Sequence, residues 1–126
     1  MATALVVVAV DPPDAQAASV TLRSARSEVV AFCWPCTLAA GDAVDNRLSV
    51  LDATVAAAWL SDWPDDEKAA RSTAWIERTG PHAYRGRGRV IDQAAGLVEV
   101  LGFVIGMPVP CDGWVDFDIV RLDVDP

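Results

Sequence analysis

Between Trp114 and Leu122, Val115, Phe117 and Ile119 alternate with Asp116 and Asp118. A period of two puts the apolar set on one face and the carboxylates on the other, the mark of a strand with one side buried. Gly88–Gln93 and Leu97–Ile105 also read as strands, with turns at Ala95-Gly96 and at Pro110-Cys111-Asp112-Gly113. The first third repeats this grammar. Ser19–Ser24, Glu28–Phe32 and Ala43–Leu51 are divided by Ala25-Arg26-Ser27 and Ala40-Gly41-Asp42, and the third of these strands sets Val44, Leu48 and Val50 opposite Asp45, Arg47 and Ser49.

Laying residues 28–52 on residues 99–123 matches Glu28 with Glu99, Val29 with Val100, Phe32 with Phe103, Val44 with Val115, Asp45 with Asp116, Leu51 with Leu122 and Asp52 with Asp123. The turn Gly41-Asp42 falls on Asp112-Gly113. The pattern predicts a duplicated three-strand meander, over 19–52 and 84–124, in a single domain spanning 1–126. Between the two halves, Ser61 or Asp62 offers an N-cap, Pro64 fits a first turn, Asp65, Asp66 and Glu67 suit the positive end, and Gly80-Pro81 makes a stop. A helix is therefore predicted at about 63–79, within a helical insert over 61–80. Its apolar face of Ala70, Ala74, Trp75 and Ile76 is thin, which suits a helix lying outside the sheets.

Six strands and one helix suggest a mainly β fold, a small six-stranded barrel or closed sandwich of OB-like or SH3-like type, because closure removes exposed edges. The apolar run Ala4–Val10 precedes Asp11-Pro12-Pro13 and has no Lys or Arg before it. It predicts a strand or a loosely ordered arm over 1–17 rather than a secretion signal.

Composition narrows the picture. The 126 residues are 52% hydrophobic and 22% charged, with mean hydropathy +0.27, enough for a full core and too apolar for a disordered chain. The net charge of -8 repels nucleic-acid phosphates and anionic lipid and steers a basic partner inward. Five tryptophans against one tyrosine supply anchors of the kind that dominate protein interfaces.

Candidate chemistry begins at Cys33-Trp34-Pro35-Cys36. This spacing is shared with thioredoxin-type redox sites, but Thr37-Leu38-Ala39-Ala40 runs into Gly41-Asp42 before a helix can form to lower a thiol pKa. Packing at a strand end is expected. A zinc alternative would combine Cys33, Cys36 and Cys111 with the one histidine, His82, otherwise read as an exposed loop residue. Tyr84, Arg85, Arg87 and Arg89 form the one basic concentration. If extended, its three arginines share a face, either as an anion site in an OB-like nucleic-acid binder or as a ladder to Asp116, Asp118 or Asp45.

No nucleophile elbow, phosphate loop or metalloprotease helix occurs. The expectation is a cytoplasmic, non-enzymatic, acidic protein-binding module without a cofactor. It would occlude a basic protein partner, as stoichiometric inhibitors and immunity-type proteins do, through Trp59, Trp63 and Trp75 with Asp62, Asp65 and Asp66. Nucleic acid and membranes are not the expected partners; a thiol-disulfide or zinc protein is the alternative at Cys33 and Cys36.

Overall fold

The computed structural model describes residues 4–125. In chain order the strands are β1 (Leu5–Asp11), β2 (Ala18–Arg23), β3 (Glu28–Cys33), β4 (Ala43–Val44), β5 (Ser49–Val50), β6 (Ala53–Ala57), β7 (Trp75–Arg78), β8 (Tyr84–Asp92), β9 (Leu97–Val100), β10 (Phe103–Gly106), β11 (Trp114–Ile119) and β12 (Leu122–Asp123). One short helix, α1 (Asp65–Ala70), lies between β6 and β7. With 48% strand and 5% helix the fold is mainly β, in two curled sheets of which one is a half-barrel.

The first sheet has the order β4-β1-β2-β3-β12-β5. Its β1-β2-β3 meander is antiparallel, and β12 runs parallel to β3. The second sheet has the order β10-β9-β8-β11-β6, with β7 pairing the first half of β8 and β9 its second half. One register runs from Ala57 opposite Val115, through Ala53 opposite Ile119, to Ser49 opposite Asp123, with no residue gained or lost. The two sheets are therefore joined by a single antiparallel ribbon that bends at residues 51–52 and 120–121. Leu48 also bridges Ile105, donating to the Val104 carbonyl and accepting from the Gly106 N–H at 2.8 Å each, which ties β10 to the first sheet's end.

The core lies between the sheets, where alternation sends every second side chain inward. Val20 and Leu22, Val29, Ala31 and Cys33 meet Val98, Val100, Phe103, Ile105, Val115, Phe117 and Ile119 in one buried cluster. Each fully buried Val, Leu, Ile or Phe contributes roughly 1.5–3 kcal/mol of transfer free energy. Tyr84 joins this cluster and accepts the Val30 N–H at 2.7 Å, satisfying a backbone donor at the point where the β3–β12 pairing has stopped.

Of the strand or arm expected over 1–17, residues 5–11 are a strand and residues 1–3 lie outside the described residues. Other expectations are corrected. Where six strands in a barrel or closed sandwich were expected, the described residues form twelve shorter strands in two curled sheets, one of them a half-barrel. The helix expected at 63–79 is six residues long and buries no side chain; residues 75–78 are strand β7, and Gly80-Pro81 lies in the β7–β8 loop, closed by Thr79 N–H donating to the Ala83 carbonyl at 2.8 Å. Ser72 Oγ donates back to the Lys68 carbonyl at 2.7 Å, diverting the chain just past α1. Leu97–Ile105 is a hairpin rather than one strand: Leu101 and Gly102, with φ of 47° and 86°, make its two-residue turn. The expected duplication lays the continuous strand β3 on that turn, so the structure does not bear it out over residues 28–33 and 99–104.

Candidate functional site

The outer face of the second sheet is a lattice of charged rows. Thr54 lies opposite Asp118, Asp118 opposite Arg85, and Arg85 opposite Glu77. In the next row Ala56, Asp116, Arg87 and Trp75 follow one another, and beyond it Trp114, Arg89 and Glu99. The expected arginine ladder is present, with its own choice of partners. Arg87 Nε donates to Asp116 Oδ1 at 2.6 Å and its Nη2 to Oδ2 at 3.4 Å, while Arg85 Nη2 reaches both Glu77 oxygens at 3.2 Å. Among the described residues Arg89 makes no ion pair. Tyr84 faces the core, away from the arginines.

Arg85, Arg87 and Arg89 share this face because β8 alternates arginine with glycine, and the glycines do structural work inward. A Cβ on Gly86 would meet the Trp75 carbonyl oxygen and lie 2.9 Å from Phe117 Cζ; one on Gly88 would lie 2.6 Å from Val98 Cγ1. Close approach of β7 and β9 to β8 depends on those missing side chains.

Trp59 and Trp63 are half-buried and engaged with the segment around α1. Lys68 Nζ sits 5.1 Å from the Trp59 ring centroid and the Arg71 guanidinium 5.2 Å from that of Trp63. Trp59 Nε1 donates to Ser72 Oγ at 3.3 Å. These cation–π contacts hold a helix that has no buried residue of its own. Arg71 also reaches the Ala58 carbonyl at 3.4 Å and Asp116 at 3.9 Å, binding the end of α1 to the sheet. Asp62, Asp65, Asp66 and Glu67 are exposed and enter no ion pair among the described residues.

Trp75 is placed differently from the other two. On β7 it is 37% exposed and walls a cleft of about 310 Å³ with Thr54, Ala56, Arg85, Asp116 and Asp118. The β6 side is low because β6 supplies only Thr54 and Ala56 there, and Gly86 and Phe117 complete the lining. Arg85 is occupied by Glu77 and Asp116 by two guanidiniums, so Asp118, exposed and without an ion pair among the described residues, is the cleft's uncompensated charge. Such a cavity suits a cationic side chain that stacks on the indole and pairs with Asp118. Another cleft, of about 470 Å³, is lined by Ala4, Asn46, Ile91, Leu97 and Val104; both ends of the Asn46 amide are already bonded, to the Gly102 carbonyl and the Val104 N–H.

Of the two thiols in Cys33-Trp34-Pro35-Cys36, the first is the less accessible. Cys33 is fully buried at the end of β3, and burial pushes its thiol up to about 12, with the neighbouring Cys36 adding to the rise. At neutral pH it is a poor nucleophile. No three of His, Cys, Asp and Glu converge as metal ligands among the described residues, so Cys33, Cys36, Cys111 and His82 do not form the zinc set.

His82 is half-buried, in place of the exposed loop position expected. Its Nε2 lies 2.8 Å from Ser19 Oγ, its ring meets Phe32 edge-on at 5.5 Å, and its carbonyl accepts the Leu122 N–H at 2.8 Å. Burial and the nearby Arg78 and Arg121 hold the imidazole below the usual histidine range, with Asp123 opposing them. A Ser–His contact of this length matches a nucleophile and its base. Here, however, Asp123 is taken by Arg121 at 2.7 and 3.1 Å, leaving the imidazole without that carboxylate as an orienting group. The pair instead clamps the β7–β8 loop to the first sheet.

No helix among the described residues is long and apolar enough to cross a membrane. Comparison with known proteins finds no family model, no curated protein and no solved structure that matches the chain. Sequence reasoning anticipated the arginine ladder, set Trp75 on a helix where the structure has strand β7, and missed β6, whose Ala53-Thr54-Val55-Ala56-Ala57 has too little amphipathic contrast to announce a strand.

Proposed function

We propose that this chain is a small acidic protein-binding module that occludes a basic partner through the outer face of its second sheet. The observation that carries this is the cleft in which a half-open Trp75 stands beside Asp118, a carboxylate with no ion pair among the described residues. A lysine or arginine from the partner crosses Thr54 and Ala56, stacks on the indole and pairs with Asp118. Asp62, Asp65 and Asp66 form an acidic rim on α1 and the turn before it, while Trp59 and Trp63 fix that rim in place. The net charge of -8 accelerates encounter with a cationic surface and makes it salt-sensitive. Stoichiometric inhibition of the immunity type would follow from occlusion alone, with no chemistry performed on the partner. The three free cysteines suit action in a reducing compartment such as the cytoplasm.

For the architecture we infer an OB-like barrel in the first sheet. The β1-β2-β3 meander is followed by β12, and the short segment holding β4 and β5 pairs with β1 at one end and β12 at the other. An experimental structure in which that segment left β1 would refute it.

Titration with a capped arginine–glycine peptide, read by the Trp75 indole NMR signal, tests the cleft. A saturable shift is expected, weakened about tenfold by Asp118→Asn and suppressed by salt. An unmoved Trp75 signal would rule the cleft out.

A further inference from the structure

β6 borders the cleft and is itself an open edge. It pairs with β11 alone. Two bonds bracket the ladder, Ala58 N–H donating to Trp114 O and Val120 N–H to Asp52 O, both at 2.9 Å. Backbone groups alternate sides along an antiparallel strand, so the even-numbered residues face β11, and Ala53, Val55 and Ala57 turn their N–H and C=O outward. The Ala53 N–H is taken by Asp52 Oδ1 at 2.9 Å, in keeping with that direction. The N–H groups of Val55 and Ala57 and three carbonyls are left along the edge.

Nothing in β6 protects this edge. It has no charge, proline, glycine or bulge, and its register with β11 is unbroken. The edge strand β7, by contrast, carries Glu77 and Arg78. Leu51 and Leu60, which flank β6, are 60% and 59% exposed. The charge around the edge selects the occupant: Asp52 immediately precedes the strand, and Asp118 lies across Thr54 on the outer face.

We propose that an extended basic segment of the partner adds to β6 as a further strand of the second sheet, with Lys or Arg at alternate positions reaching into the Trp75 cleft. This rests on the protein-binding role proposed above and assigns its mode. Neighbouring strands lie about 4.8 Å apart, so an outward side chain on the added strand has only β6 to cross before it meets Asp118. Thr54 and Ala56 are short enough to leave that path open. Backbone bonds to Val55 and Ala57 supply affinity, and the alternating cations supply specificity. A second copy of this chain is disfavoured as occupant, because it brings another -8 of charge to an edge already rimmed by carboxylates.

The test uses the whole chain at low salt and two capped hexapeptides of alternating lysine and valine, one N-methylated at every second residue so that it cannot bond along one edge. Amide hydrogen exchange is followed at Val55 and Ala57, and binding at the Trp75 indole. The unmethylated peptide is expected to bind and to slow exchange at both amides, and methylation to weaken binding about tenfold. Equal binding of the two peptides without protection of Val55 and Ala57 would overturn strand addition while leaving the recognition of basic segments intact. Binding of neither peptide would overturn that recognition and strand addition with it. Protection of the same amides without peptide, rising with protein concentration, would assign the edge to a second copy and overturn the proposal.

Discussion

His82 carries a titratable group into the joint between the β7–β8 loop and the first sheet. Its ordinary value of 6.5 holds in the unfolded chain, and burial with Arg78 and Arg121 lowers it in the folded one. Between those two values the unfolded chain takes up a proton that the folded chain refuses, so this contribution is undiminished above 6.5 and declines as pH falls through it. The thermal midpoint should therefore drop on acidification from about pH 7.5 to about pH 5.5, and His82→Gln should make that drop smaller. An identical drop in the variant would show that His82 is not the group responsible. At this scale the sequence was partly legible. Cys33 was expected at the buried end of a strand and is there, and arginines spaced two apart on an extended segment share a face. The Ser19–His82 clamp was not legible, because its partners lie 63 residues apart and meet only after the loop has folded onto β2.

The segment 61–80 shows how tertiary pairing overrides local signals. Its acids, proline and Gly-Pro stop all agree with a long helix, yet only Asp65–Ala70 is helical. Trp75-Ile76-Glu77-Arg78 gains a ladder against Tyr84–Arg87, and aromatic and β-branched residues fit a half-buried pleat better than a helix without a buried face. That pairing depends on Gly86. Gly86→Ala would press a methyl on the Trp75 carbonyl oxygen and on Phe117, and should cost about 2 kcal/mol, within the range for overpacked sites. Denaturant unfolding measures the loss, and the Trp75 NMR signal should shift with it. Unchanged stability would mean that β7 does not lie against β8 as described. The strands of the 88–93 and 114–122 regions were legible because apolar and polar residues alternate there. β6 and the turn at Leu101-Gly102 were not: an alanine-rich strand shows little contrast, and Leu-Gly is not among the usual hairpin turn pairs.

For the whole molecule, two curled sheets share one bent ribbon and one core, which leaves the outer face of the second sheet free to specialise. Its arginines are largely neutralised in place, so the excess acid of the chain stays available at Asp118, Asp62, Asp65 and Asp66. Mainly β architecture and an acidic surface were readable from alternation and composition. The bend of the ribbon was not, because no residue pattern distinguishes one continuous strand pair from the two it becomes. Binding of a basic protein to this face, as proposed above, is tested most directly by affinity capture from lysate of the source cells on immobilised wild-type chain and on a Trp75→Ala, Asp118→Asn variant. Wild type should retain one basic protein in stoichiometric amount at low salt and release it at high salt, and the variant should fail to hold it. Equal retention on both, or retention that salt does not disturb, would show that Trp75 and Asp118 do not form the binding face.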